Sequence, residues 1–278
     1  MNFLLGANSQ LIGQKDARNH LSTPALIIDM DILERNISHM ADHLAGSSLV
    51  LRPHAKSHKT LAIAKRQIAS GAVGLCCANI GEAEVMAAGG ITDLLITSPL
   101  STQAKIKRLC LLSSQMSNLK VVVDNQQNIL DLNNAAKTLN IVLNILVDID
   151  GGMNRTGAAD QFSSIELVKS VNVQSHLNYL GLQCYAGHLQ HIDDFKERQK
   201  CSNQVMSELA EIRDQLIKEN LPPEIISGGG TGTFDIDKHS GVLTELQAGS
   251  YVFMDNQYNT VWAKNGGIPP FETSLFVQ

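Results

Sequence analysis

A chain of 278 residues can bury one large core or two modest ones, and its 44% hydrophobic and 18% charged content is that of a globular protein. The formal net charge of −5, with basic residues scattered outside one cluster, gives no sign of nucleic acid as a standing partner. No run approaches the apolar length of a membrane span, and the opening MNFLLGANSQ lacks the basic region and apolar length of a signal peptide, so no membrane partner is expected. Five cysteines without C-x-x-C or zinc-ribbon spacing point to reduced thiols and a cytoplasmic setting.

In chain order, short aliphatic runs alternate with longer amphipathic stretches. Strands are predicted at Ala25–Asp29, Leu49–His54, Gly74–Ala78, Asp93–Thr97, Leu119–Asp124, Ile141–Asp150, Tyr179–Ala186, Glu224–Gly228 and Gly249–Met254. Helical spacing is predicted from Asp31 to Met40, Gly81–Ala88, Thr102–Leu112, Gln126–Leu139 and Asp194 to Glu219. Repeated β-α-β units with doubly buried strands make a parallel sheet wrapped by helices, and about eight of them fit an α/β (β/α)8 TIM barrel. Nine strands are one too many; the surplus is the first or the last. After Asp255 come Gly266, Gly267, Pro269 and Pro270, then Glu272-Thr-Ser-Leu-Phe-Val-Gln278, which reads as a strand whose edge at Thr273–Val277 could promote association.

In such a barrel the chemistry belongs at the C-terminal ends of the strands. Polar residues gather there: His54 and Lys56, Asn79, Thr97 and Ser98, Asp124, Asp148 and Asp150 with Asn154 and Arg155, Tyr185 and His188, then Ser227 to Thr233. The stretch Ser227-Gly-Gly-Gly-Thr-Gly-Thr233 follows a strand, and its glycines allow close backbone approach to a phosphate while Thr231 adds a hydroxyl. It has neither the lysine of a nucleotide-binding P-loop nor the spacing of a dinucleotide fingerprint. Asp150-Gly-Gly-Met-Asn-Arg-Thr-Gly157 carries one cation, Arg155, suited to a paired contact with a carboxylate or phenolate oxygen.

The segment LRPHAKSHK, Leu51 to Lys59, packs two lysines, two histidines and an arginine into nine residues. His54 and His58 have the four-residue spacing of metal ligands on a helix, but Pro53 and the preceding strand make the backbone extended, and no acidic residue accompanies them. A reactive lysine fits better. Lys56, partly desolvated and surrounded by Arg52, Lys59 and the two histidines, would be held toward its free amine. Such a lysine with a phosphate cradle on another strand end suggests pyridoxal 5′-phosphate, PLP. A PLP-free, metal-dependent barrel using His54, His58, His188 and His191 is the contrasting reading.

These motifs also carry a resemblance. Thr23-Pro-Ala-Leu-Ile-Ile-Asp, Arg52-Pro-His-Ala-Lys-Ser-His-Lys59, Gly181-Leu-Gln-Cys-Tyr-Ala-Gly-His188, Ser227 to Thr233 and Leu246-Gln-Ala-Gly-Ser-Tyr-Val-Phe-Met-Asp255 resemble the D-threonine aldolase and D-serine dehydratase family, alanine-racemase-like PLP enzymes of fold type III. The resemblance implies a PLP-dependent lyase acting on D-β-hydroxy amino acids, with retro-aldol cleavage to glycine and an aldehyde through a Schiff base on Lys56. Dehydratase or racemase chemistry, or a non-catalytic PLP-binding barrel, are its alternatives. It further implies that Arg155 contacts the cofactor's phenolate oxygen, that Gly228, Gly229, Gly230 and Thr231 with Ser227 hold the phosphate, and that Tyr185 lies beside the ring and Tyr251 near the phosphate. His54 belongs to the cofactor's surroundings, and His58 is a possible acid–base helper. By the same resemblance residues 1–30 pair with a C-terminal β-domain, 31–255 form the barrel, and 256–278 are the start of that β-domain, most of which is absent. The family expectation is a homodimer with a divalent metal (Mn or Zn) on the β-domain. No His-x-Asp or His-x-Cys pair follows Asp255, so no metal ligands are assigned here.

Overall fold

A computed structural model describes residues 6–263 and 269–278. Gly266 and Gly267, which the sequence reading assigns to the tail, lie outside the described residues. Strand β1 (Leu26–Ile28) leads into α1 (Met30–Leu44). Then come β2 (Val50–Leu51), α2 (Leu61–Ala69), β3 (Leu75–Cys77), α3 (Ile80–Ala88), β4 (Asp93–Ile96), α4 (Gln103–Ser113), β5 (Asn118–Val123) and α5 (Gln126–Thr138). The chain continues through β6 (Leu143–Ile149), α6 (Gln161–Asn172), β7 (Leu177–Cys184), α7 (Phe195–Lys218), β8 (Ile225–Gly228), the short α8 (Phe234–Asp237), β9 (Glu245–Leu246), α9 (Asn256–Ala263) and β10 (Leu275–Val277).

Local chemistry explains the alternation. The strands are aliphatic runs such as Leu119 to Val123, buried on both faces. Most of the following helices begin on a side chain that accepts a backbone N–H: Asn79, Thr102, Asn125, Asp160 and Asp194. At Asp160 the cap is reciprocal, because the Ser163 hydroxyl returns to the Asp160 backbone.

The eight strands β2 to β9 form one parallel sheet in the order β2-β9-β8-β7-β6-β5-β4-β3. The ring closes through a parallel bridge between His54 and Cys76, with the Cys76 N–H donating to the Pro53 carbonyl at 2.9 Å. This is the expected (β/α)8 barrel. The surplus strand is β1, which lies outside it and pairs antiparallel with β10, Leu26 opposite Val277 and Ile28 opposite Leu275.

One strand is misplaced by the sequence reading. Gly249–Met254 is a 3-10 turn, since the N–H groups of Phe253 and Met254 both return to the Ser250 carbonyl and Met254 takes φ +47°. The eighth barrel strand is β9, only two residues long and led by a charged Glu245, so it carries no aliphatic signature. Helices α2, α6, α8 and α9 are additional to those predicted.

Alternation along the strands stacks the barrel interior in layers. At the N-terminal ends Arg52, 2% exposed, donates to Glu245 through Nε and Nη2, both at 2.7 Å, and to Asp93 at 2.5 Å. Lys120 also reaches Asp93, at 2.9 Å. Gly74 leaves the space, because a Cβ there would stand 2.3 Å from the Arg52 guanidinium. The middle layer is apolar: Cys76, Leu95, Val122 and Leu146, with Leu180 and Ile225 against them. Above it the interior turns polar again, at the end where the site lies.

Candidate active site

Two residues beyond Arg52 on the same strand face, His54 enters the upper layer. Its Nδ1 accepts the Lys56 N–H at 3.3 Å, so its Nε2 carries the proton toward the Thr97 hydroxyl at 3.0 Å, and that hydroxyl donates to the Cys77 carbonyl at 3.2 Å. Burial holds His54 well below the usual imidazole range, with the charges of Lys56, His58 and Arg155 acting the same way. The imidazole is neutral and caps the 3-10 turn Ala55–Ser57 that presents Lys56.

Lys56 is exposed at the barrel mouth. Nζ lies 5.0 Å from the centroid of the Tyr185 ring. Burial lowers the ammonium pKa, and the positive charge of Arg155 lowers it further. The charged surroundings expected from LRPHAKSHK are therefore different ones. Arg52 belongs to the far layer of the barrel, neutralised by two carboxylates, and Lys59 points outward, 66% exposed, to Glu82 at 3.5 Å.

His54, Lys56, Thr97, Asp148, Met153, Arg155, Thr156, Gln183, Tyr185 and Gln247 line one cleft at the strand ends. Arg155 reaches it from a loop shaped by Asp150, whose carboxylate accepts the N–H groups of Gly152, Met153 and Asn154 at 2.8–3.1 Å. Across the floor runs a hydrogen-bond chain. The Thr156 hydroxyl and Gln183 Nε2 donate to Asp148 at 2.9 and 2.8 Å, and Gln247 Nε2 donates to Gln183 Oε1 at 3.1 Å and to the Ser227 hydroxyl at 3.0 Å. Burial pushes the Asp148 carboxyl up to about 6 against those hydrogen bonds.

The floor thus connects the lysine side to the glycine segment. Gly228 lies flat on β7, where a Cβ would meet the Cys184 carbonyl at 2.2 Å, and Gly229 takes φ +70°. The Thr231 hydroxyl accepts the Tyr251 N–H at 3.2 Å, which ties the segment to the turn after β9.

The structure brings Lys56, His54, Arg155 and Tyr185 together and places Ser227 to Thr231 at a neighbouring strand end. His58 does not join them. Its Nδ1 accepts the Thr60 N–H at 3.0 Å and its Nε2 faces Gln67 Oε1 at 3.1 Å. Gln67 in turn donates to the Tyr251 hydroxyl at 2.9 Å, so Tyr251 is a fully buried strut beneath the glycine segment. Both nitrogens of His54 and of His58 are engaged, which removes them as a shared metal site. Among the described residues no group of three or more His, Cys, Asp or Glu is placed to hold a metal ion.

Gln183 and Gln247 are the floor residues the sequence reading missed. At Gly181 the β6–β7 register shifts, so Leu180 and Gln183, three residues apart, both face inward and break the two-residue rhythm. Gly181 is required at the shift, since a Cβ would stand 1.9 Å from the Ile225 carbonyl.

Comparison with known proteins is decisive about kinship. Residues 28–257 match the family model described as alanine racemase, N-terminal domain. The chain belongs to this family. It is 39% identical over 249 residues to the 3-hydroxy-D-aspartate aldolase of Paracoccus denitrificans (strain Pd 1222), covering 89% of this chain and 64% of that protein. It is 36% identical over 263 residues to the D-threonine aldolase of an Arthrobacter species, covering 94% and 68%. The crystal structure of the D-threonine aldolase from Filomicrobium marinum superposes with a TM-score of 0.87 at 40% identity, over 92% of this chain and 69% of that one. The chain therefore spans 64% of the length of the Paracoccus relative.

The residues present in the cleft suit PLP. A lysine amine of lowered pKa stands beside an aromatic ring and a guanidinium, with the glycine turn at the end of β8, two strands along the sheet from β2. No side chain in the described cleft competes by closing an ion pair onto Lys56.

Proposed function

We propose that this chain is the cofactor-binding part of a PLP-dependent lyase that cleaves D-β-hydroxy amino acids in the manner of a D-threonine aldolase, giving glycine and an aldehyde. The observation that carries this reading is the Lys56 amine, depressed in pKa by burial and by Arg155, beside the Tyr185 ring at the mouth of the barrel. The printed activities of the Paracoccus and Arthrobacter relatives support the substrate class.

Lys56 supplies the amine that attaches the cofactor. His54 stays neutral, caps the turn and fixes the direction from which the amine approaches. Arg155 offers a cation to the phenolate oxygen, and Tyr185 bounds one side of the ring. Ser227, Gly228, Gly229, Gly230 and Thr231 receive the phosphate, and Tyr251 supports them from below through its N–H on Thr231. His58 acts through Gln67 and Tyr251 as a support for this geometry and not at the reacting carbon. When bound, PLP accepts electron density from the substrate's Cα and so eases breakage of the Cα–Cβ bond. A divalent metal and a second copy of the chain complete the proposal on the family resemblance, and a cytoplasmic location on the five free cysteines. Among the described residues no helix is long and apolar enough to cross a membrane.

Borohydride reduction of the PLP-treated protein, followed by peptide mass spectrometry, should place one cofactor on Lys56, and Lys56→Ala should abolish the modification and the visible absorbance. Labelling at another lysine would overturn the assignment. Glycine release from D-threonine, with and without added Mn or Zn, tests the aldolase reading; pyruvate from D-serine would move the reading to a dehydratase. A second reading is a barrel that binds PLP without turning over substrate. It predicts attachment at Lys56 with no product under any metal condition.

A further inference from the structure

Behind the glycine segment sits a carboxylate that the proposed chemistry leaves unused. Asp237, at the end of α8, is 2% exposed. Its Oδ2 accepts the Thr233 hydroxyl at 2.6 Å, and its Oδ1 accepts the Ser202 hydroxyl of α7 at 3.1 Å. It also touches the segment directly: a Cβ on Gly229 would stand 2.3 Å from Oδ2. Gln190 holds the same stretch from the other side, its Nε2 on the Thr233 hydroxyl at 3.0 Å and its Oε1 on the Gly232 N–H at 2.8 Å. The turn expected to face a phosphate is thus held between one amide and one buried acid.

The charges around Asp237 do not neutralise it. Asp235, on the same short helix, adds a like charge. Arg198 of α7 and His239 bear on Asp235. Lys238 turns away and donates to the His43 carbonyl. Cys184, at the end of β7, is coupled to Asp237 but its thiol is held protonated, pushed up to about 12 by burial. Burial likewise pushes the Asp237 carboxyl up, to about 7, while Thr233, Ser202 and the Gly230 N–H favour its ionised form.

We propose that Asp237 is a positioning residue for an anion at the Gly228–Thr231 turn and takes up a proton when phosphate binds there. The inference rests on the reading that this turn holds the cofactor's phosphate. A carboxylate in contact with the turn at Gly229 and Gly230 opposes a second anion bound to the turn's other N–H groups, and the repulsion is poorly screened inside the protein. Protonation removes that repulsion and leaves the clamp standing, because a protonated acid still accepts hydrogen bonds and gains a donor. The sign follows: phosphate binding raises the Asp237 pKa further, so affinity falls as pH rises through that pKa.

Inorganic phosphate is the probe, titrated calorimetrically in buffers of different ionisation heat between about pH 6 and pH 8, with PLP as competitor. The wild-type chain should take up a fraction of a proton beyond phosphate's own titration, with affinity falling by up to about tenfold per pH unit. Asp237→Asn should lose the excess uptake and that part of the slope. Ser202→Ala, which removes a bond favouring the ionised form, should move the transition to higher pH, and it carries the test if Asp237→Asn does not fold. Equal uptake in wild type and Asp237→Asn, or an unmoved transition in Ser202→Ala, would overturn the inference while leaving the phosphate reading intact. Wild-type binding that is absent, or that PLP does not displace, overturns the phosphate reading and this inference with it.

Discussion

The two ends of the barrel treat charge in opposite ways. At the N-terminal end Arg52, Glu245, Asp93 and Lys120 pair with one another. At the C-terminal end Lys56 and Arg155 face the same cleft as like charges, and the carboxyl that lines it with them, Asp148, is drawn toward its neutral form. Arg52 and Lys56 stand four residues apart in one basic segment, so clustering in the chain says little about electrostatic company. What decides is which layer of the interior each side chain enters. A paired layer stabilises, and an unpaired one keeps its groups reactive.

Breaking the paired layer should have the largest effect. Arg52→Ala leaves Glu245 uncompensated inside the barrel and Asp93 with Lys120 alone, and should cost about 3–5 kcal/mol, read from the urea midpoint. A loss under 1 kcal/mol, by the same order-of-magnitude reasoning, would mean the layer is not the staple described.

The unpaired layer can be sharpened through pH. Asp148 titrates at about 6 in the fold against an ordinary 3.8, so the folded protein binds a proton more tightly than the unfolded chain. Stability should therefore fall as pH rises from near 4 to near 6, then level off, and Asp148→Asn should flatten that part of the curve. Denaturation midpoints across this window would settle it; an unchanged slope in the variant would assign the pH dependence elsewhere.

The smallest effect belongs to Lys59. Its ion pair with Glu82 is long and its side chain largely exposed, so Lys59→Ala should change stability by under about 1 kcal/mol and leave cofactor attachment at Lys56 unaltered. A marked loss of attachment would restore Lys59 to the lysine's electrostatic surroundings.

The barrel was legible because its strands are aliphatic runs of even spacing, and the turn at Gly228–Thr231 because three consecutive glycines follow a strand. Lys56 stood out from its crowd of charges. The errors have one cause, that direction into the interior is set by partners far away in the chain. Arg52 goes down because Gly74 leaves it room and Glu245 receives it. His58 turns aside because Gln67, on a helix of nine residues with no strong signature, waits for it. Strand β9 was invisible because two residues carry no period, and its place was given to a neighbouring run that curls into a turn.

The seam of the barrel has a further consequence. The ring closes where β2 meets β3 at His54 and Cys76 and where β2 meets β9, and Lys56 stands directly over that junction. The contact that locks β2 to β9, Arg52 with Glu245, spans 193 residues of chain. Contacts of that separation carry the entropy cost of closing a long loop, which slows folding. The amine accordingly takes its final direction only in the completed ring. Were the cofactor to attach at Lys56 as proposed, its capture would report that the ring is complete, and a chain with β9 undocked would be a barrel in most respects while remaining colourless.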